Sequence, residues 1–392
     1  MSQRAGWLSV MRFHPGVVTD IIEVVRLNWV MVGVTALVSL AACTSGTATT
    51  GRTVAELPVN PTPTASGQVV VLAGNGRSGL PVDGAYAVRT PVTPVGRVLA
   101  LPDGSLLFPV QYGGWSAESR LARLTPDGRI HLRTDILGGN EYTSYAMSGN
   151  DLWILQPSVD APGRLTKASL NGNGKTTMLR WSDEGANRFT FEDSRGHQVP
   201  AAERHRLAAG WNATALGVRH DGTPIIAAEN GDLYQLLGKD RLRRWIPPGY
   251  EKASDSAHAI ARLFPEVIIS DGEKGLHVIG QQGIVHVPGR GSATGVRFPG
   301  AEQGDQLSVV GAVASTDGEL LIAGSARGLL RADARGRVRF EMQYGDGKSC
   351  TVPASLSAVG ADKLGGIAER PGGVLVVTGL RCGRLYGLRL AR

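Results

Sequence analysis

Residues 97–133 read RVLALPDGSLLFPVQYGGWSAESRLARLTPDGRIHLR. Two apolar segments meet at Pro102-Asp103-Gly104, and two more meet at Pro126-Asp127-Gly128. Asp-Gly between apolar alternations signals a β-hairpin, because the glycine supplies the positive φ that the turn needs. The stretch therefore reads as four strands, Arg97–Leu101, Ser105–Val110, Ser119–Leu124 and Arg129–Arg133.

The same order recurs along the chain. A second copy is Thr143–Ser148, Leu152–Gln156, Arg164–Leu170 and Lys175–Trp181. A third is Ala213–Arg219, Pro224–Ala228, Leu233–Leu237 and Leu242–Ile246, and a more degenerate fourth is Ala259–Phe264, Val267–Ser270, Leu276–Ile279 and Ile284–Val287. The fifth is Val309–Ser315, Glu319–Gly324, Gly328–Ala332 and Arg337–Met342. The sixth, Gly365–Glu369, Val374–Thr378 and Arg384–Leu390, stops one strand short, and Gln68–Ala73 at the other end of the chain would supply the missing strand. This predicts an all-β fold: a six-bladed β-propeller over 68–392, with four-stranded blades and the N-terminal strand closing the last blade. Closure removes the edges that an open array would expose. The first turns fall at Asp103, Asn150, Asp221, Glu266, Asp317 and Gly372, and an insertion at 182–210 accounts for the one long gap.

Composition agrees. The chain has 53 Gly and 21 Pro in 392 residues, above the usual combined share of roughly 12%. That surplus disfavours helical bundles, while 42% hydrophobic content is too much for a disordered chain.

Residues 73–84 (AGNGRSGLPVDG), then Thr93-Pro94-Val95-Gly96, Val98–Leu101 and Pro102-Asp103-Gly104, resemble an NHL repeat. The likeness covers about forty residues. It departs at Leu107-Phe108-Pro109, where the family often has Tyr, a β-branched residue, Ala and Asp. What it implies is an NHL-like propeller.

At the N-terminus an apolar run, residues 28–42 (NWVMVGVTALVSLAA), follows Arg26 and ends in Leu40-Ala41-Ala42-Cys43. The run is shorter than the ~20 apolar residues of a membrane span. It resembles the lipobox of bacterial lipoproteins. That resemblance implies a signal peptide at 1–42, a diacylated (palmitate-bearing) Cys43, and anchoring on the extracytoplasmic side of the cell membrane. The stretch before Arg26 is long for a signal and carries Asp20 and Glu23, which points to a translation start downstream of Met1. Residues 43–67, rich in Thr, Ser, Gly and Pro, read as a flexible tether of ~25–30 Å.

The net charge is +7, and 34 of the 41 basic residues are Arg. This bias resembles high-GC bacteria such as actinomycetes. The basic residues form no cluster, so no nucleic-acid partner is expected; an anionic lipid or wall surface suits the charge better. A monomer is expected.

Several motifs imitate chemistry. Gly74-Asn75-Gly76-Arg77-Ser78-Gly79 has dinucleotide-fingerprint spacing, yet Leu80-Pro81 follows where a helix should open. Residues 171–177 (NGNGKTT) lack the first glycine of a P-loop, and 229–232 (ENGD) falls short of a calcium loop; both read as turns. The eight histidines form no metal motif, although His197 and His205 lie near Asp193 and Glu203 in the insertion. No cofactor, metal or catalytic residue is assigned.

Three cysteines remain to be placed. With Cys43 lipidated, Cys350 and Cys382 are left for a disulfide. Strand alternation puts a second-to-third-strand loop on the same face as an inter-blade connection, so the two fall on one face of blade six. That face also carries the long segments 74–94, 111–118, 134–142, 182–210, 247–256, 288–307 and 343–362. These hold Tyr112, Trp115, Tyr142, Phe189, Phe191, Tyr250 and Tyr344 in a chain with only 6% aromatics. The set defines a candidate ligand face for an envelope protein, peptide or glycan. The alternative is a metal-dependent lactonase- or lyase-type enzyme working in the central channel. Its ligands would have to come from innermost strands that read mostly as Val, Ala, Leu, Ile and Ser, with Glu369 near one end.

Overall fold

The computed structural model describes residues 61–390, except 112–118, 140–141, 159–161, 173, 183–188, 209–210, 251–264, 272–273, 281–282, 299–307, 316–318, 325–327, 334–336, 343–358 and 360–363. The fold is a six-bladed β-propeller. A first strand, β1 (Val69–Ala73), precedes blade one, which is β2 (Leu99–Ala100), β3 (Leu106–Gln111), β4 (Ser119–Leu124) and β5 (Ile130–Leu137). Blade two is β6 (Ser144–Ser148), β7 (Asp151–Gln156), β8 (Gly163–Ser169) and β9 (Lys175–Trp181). The insertion contributes β10 (Thr190–Glu192) and α1 (Ala201–Ala208) ahead of blade three, which is β11 (Ala213–Val218), β12 (Pro224–Ala228), β13 (Leu233–Gly238) and β14 (Arg241–Trp245). Blade four is β15 (Pro265–Ser270), β16 (Gly275–Gly280), β17 (Gly283–Pro288) and β18 (Thr294–Arg297). Blade five is β19 (Val309–Ala314), β20 (Leu320–Gly324), β21 (Gly328–Ala332) and β22 (Val338–Met342). Blade six is β23 (Leu364–Arg370), β24 (Val374–Gly379), β25 (Arg384–Leu388) and, outermost, β1.

Ring closure is therefore as the sequence predicts. β1 lies antiparallel to β25, with Val69 opposite Leu388 and Val71 opposite Tyr386. The Gly67 amide adds a bond of 2.7 Å to the Arg389 carbonyl. Glycine is required where the closing strand leaves the sheet. Gly74 has φ +89°, and a Cβ there would sit 2.0 Å from the Gly383 carbonyl oxygen.

One turn is reused. In blade one the Leu101 amide donates to the Ser105 carbonyl, the Gly104 amide to the Leu101 carbonyl, and Gly104 has φ +79°. Asp103 Oδ1 accepts the Ser105 amide at 2.9 Å. Asp221-Gly222 and Asn230-Gly231 repeat the pattern, with Thr223 and Asp232 as donors at 2.9 and 3.0 Å. The acidic or amide side chain imitates a backbone acceptor, and the glycine adopts the left-handed conformation. This explains why Asp-Gly and Asn-Gly punctuate the repeat.

Blade four corrects the expected frame. Val267–Ser270 belongs to the innermost strand rather than the second, so β16 and β17 move to second and third place and β18 is the fourth. The first turn moves from Glu266 to Asp271, whose amide bonds to the Gly275 carbonyl. Ala259–Phe264 lies outside the described residues. β18 reads TGVR, one apolar residue in four, because an outermost strand is wet on one side and carries little alternation. The tight turn between β17 and β18 therefore leaves the long-loop face.

The insertion also differs from a plain loop. β10 adds a parallel fifth strand to blade three, pairing with β14 through Phe191 and Leu242. Glu192 fixes it by accepting from Arg241 at 2.8 Å and from Arg243 at 2.7 and 3.0 Å.

Candidate functional site

The innermost strands of all six blades surround a cavity of about 260 Å³. Its lining includes Leu99, Ala146, Met147, Val218, Ile269, Val313 and Ile367, with Tyr145, Ser270 and Glu369 as polar members. The apolar reading of these strands holds. Among the described residues no group of three or more His, Cys, Asp or Glu side chains is placed to hold a metal ion.

One end of the axis carries a polar latch that the sequence reading missed. Extending the register from Leu99 opposite Leu107 would set Arg97 against Pro109, which has no N–H for the ladder. β2 is accordingly short, and Arg97 is released from the sheet. Its Nη1 donates to Ser144 Oγ at 2.5 Å, and its Nη2 donates to the Glu266 carbonyl. Glu266 Oε2 in turn accepts the Val309 amide. These residues stand at or just before the starts of the innermost strands of blades one, two, four and five. The bonds therefore cross the axis, joining blade one to the opposite blade. Burial lowers the Arg97 pKa to about 10, opposed by the charge of Glu266. Beside it, burial pushes the Tyr145 phenol up, while its hydroxyl donates to the Gly138 carbonyl.

Innermost strands start on the face where inter-blade connections arrive, which is the long-loop face. The latch spans the axis on that side, and the cavity lining reaches the tight-turn ends of the inner strands at Met147, Val218, Ser270 and Glu369. The only sequence trace of this is a charged residue ahead of an apolar inner strand in each of two blades.

Of the expected ligand-face aromatics, Tyr142 is half exposed. Phe189 and Phe191 are buried and meet Trp211 at 5.4 and 6.4 Å between ring centroids. Trp181 meets Trp211 edge-on at 5.3 Å. Tyr250 is buried and donates to the Gly231 carbonyl at 3.3 Å. Phe189 and Phe191 thus form core because the insertion lies down on blade three rather than standing clear of it, and Tyr250, in the connection that follows that blade, packs between blades three and four. Tyr112, Trp115 and Tyr344 lie outside the described residues, as do Cys43 and Cys350. Cys382 is buried between β24 and β25.

The motif imitations resolve as turns. Residues 74–84 lead only to a single 3₁₀ turn at Ala87–Arg89. The Ser169 amide bonds to the Gly174 carbonyl across the 171–174 turn, and the Ala228 amide to the Asp232 carbonyl across 229–231. In the insertion, His197 Nδ1 lies 3.3 Å from Asp193 Oδ2.

No protein-family model matches the chain, and no curated protein matches it. Its likeness to solved structures is one of fold. A structural genomics protein of unknown function from Bacteroides thetaiotaomicron has a TM-score of 0.52 at 10% identity, over 82% of this chain and 75% of its own. A streptogramin B lyase has a TM-score of 0.46 at 14% identity, over 77% and 95%. The periplasmic gluconolactonase of Pseudomonas aeruginosa has 0.43 at 16%, over 81% and 90%. The likeness at a TM-score of 0.52 is one of fold alone, and the chemistry of these neighbours remains theirs.

Proposed function

We propose that the chain is a lipid-anchored, extracytoplasmic NHL-like propeller that binds an envelope protein, peptide or glycan on its long-loop face. The observation that carries this reading is the Arg97 latch. With these bonds spanning the axis on that side, the face would serve as a docking platform rather than as a funnel into the cavity. Tyr142 offers a half-exposed ring there, and a rigid aromatic is an efficient binding anchor. The lipobox-like 40–43 segment and the tether support the anchor. A Cys350–Cys382 disulfide would clasp the closing blade on the same face, and the burial of Cys382 supports it.

Substituting Cys43→Ser tests the anchor: the protein should move from the membrane fraction to the soluble fraction. Unchanged retention would leave the lipid without a role. For the docking face, Tyr142→Arg should weaken retention of envelope extract on the immobilised propeller, whereas Asp127→Arg on the tight-turn face should not.

A further inference from the structure

Blade four holds two imidazoles against each other. His277 of β16 and His286 of β17 stand directly opposite in the antiparallel register. Their rings stack with 4.6 Å between centroids and 20° between planes. The row continues to Ile269 on one side and Thr294 on the other. By strand alternation both imidazoles share the face of Ile279 and Ile284, which packs against Leu320, Ile322, Leu330 and Ala332 of blade five. His277 Nδ1 and His286 Nε2 are buried with no hydrogen-bond partner.

The charges around the pair are few. Asp271 Oδ2 lies 3.6 Å from His277 Nε2, and Lys274 Nζ lies 4.0 Å from Asp271 Oδ1. Blade five turns aliphatic side chains to this seam. Among the described residues of the turn between β21 and β22, Asp333 and Arg337 bond to each other at 2.8 Å. One proton on the stack therefore puts a charge into an apolar seam, where Asp271 is the described carboxylate close to it. Two protons put like charges on adjacent rings.

We propose that the His277–His286 stack is an acid-operated joint: protonating the pair loosens the seam between blades four and five while the rest of the ring stays closed. The pKa of His277 points the same way. Burial first and the neighbouring imidazole second lower it to about 4, with Asp271 opposing. A histidine whose pKa is lowered on folding binds fewer protons in the closed state than in the open one. Its contribution to closure is complete above the ordinary value of about 6.5. It is lost as pH falls through that value toward about 4. The shift corresponds to an increase of about twentyfold in the opening equilibrium between about pH 7 and about pH 5. Carboxylates titrate mainly below this window, so it reports on the imidazoles.

The test is hydrogen exchange of the whole protein at about pH 7 and about pH 5, corrected for intrinsic exchange. Peptides from β16, β17 and β19 should lose protection on the order of tenfold in acid, while those from β7, β8 and β12 keep theirs. Replacing both residues, His277→Phe with His286→Phe, should abolish the acid response. If that protein does not fold, His286→Gln should reduce the response. Equal protection at both pH values in the wild-type protein overturns the proposal. So does an acid response that persists undiminished in the variants.

Discussion

The seam between blades two and three and the seam between blades four and five join the same four-stranded units by different chemistry. The first is filled by Trp181, Phe189, Phe191, Trp211 and Tyr234, mostly edge-on, with centroids 5.3 to 6.4 Å apart. The second is filled by Val267, Ile279, Ile284, Phe298 and Ile322 and borders two stacked imidazoles. Aromatic edge-to-face contacts hold at any pH, whereas an imidazole stack holds only while neutral. The blade architecture fixes strand order and spacing. What fills each seam decides how firmly, and under which conditions, neighbouring blades stay together.

The largest effect should come from breaking the first seam. Trp211 touches four of its rings, so Trp211→Ala should cost about 3–5 kcal/mol of stability, read from the urea midpoint. The same variant should keep the wild-type loss of protection in blade four at acid pH, because distant sites act independently. A changed acid response would show that the two seams are coupled.

A smaller effect should follow at the appended strand. Arg241 and Arg243 lower the Glu192 pKa through hydrogen bonds. Both arginines are well exposed, so Glu192→Gln should cost no more than about 1 kcal/mol. It should show instead as faster amide exchange in Thr190–Glu192. A carboxylate with a lowered pKa stabilises above its ordinary value and stops doing so as pH falls through the lowered one. The fraying should therefore appear in the wild-type protein below about pH 4 and be pH-independent in Glu192→Gln.

Much of this molecule is legible in its residues. Asp-Gly turns expose blades one, three and five almost strand by strand, and in blades one and three the turn pairs an Asp acceptor with a left-handed glycine. Closure by Gln68–Ala73 follows from counting strands. The frame of blade four does not, since Thr294–Arg297 has too little apolar alternation to announce a strand. Nor do Phe189 and Tyr250 reveal their direction: the same ring serves a binding surface or a core, and only the path of the loop that carries it decides. The Arg97 latch was hidden for another reason. Its two ends are 169 positions apart, and no local pattern reports a contact across the axis.

The side on which the propeller engages its ligand is the most direct test of the functional reading. A photo-crosslinking residue placed at Tyr142, on the long-loop face, and separately at Asp127, on the tight-turn face, would be irradiated in intact cells. The proposed docking face predicts one discrete adduct from position 142 and none from position 127. An adduct from position 127 alone would contradict it and place the ligand on the tight-turn face.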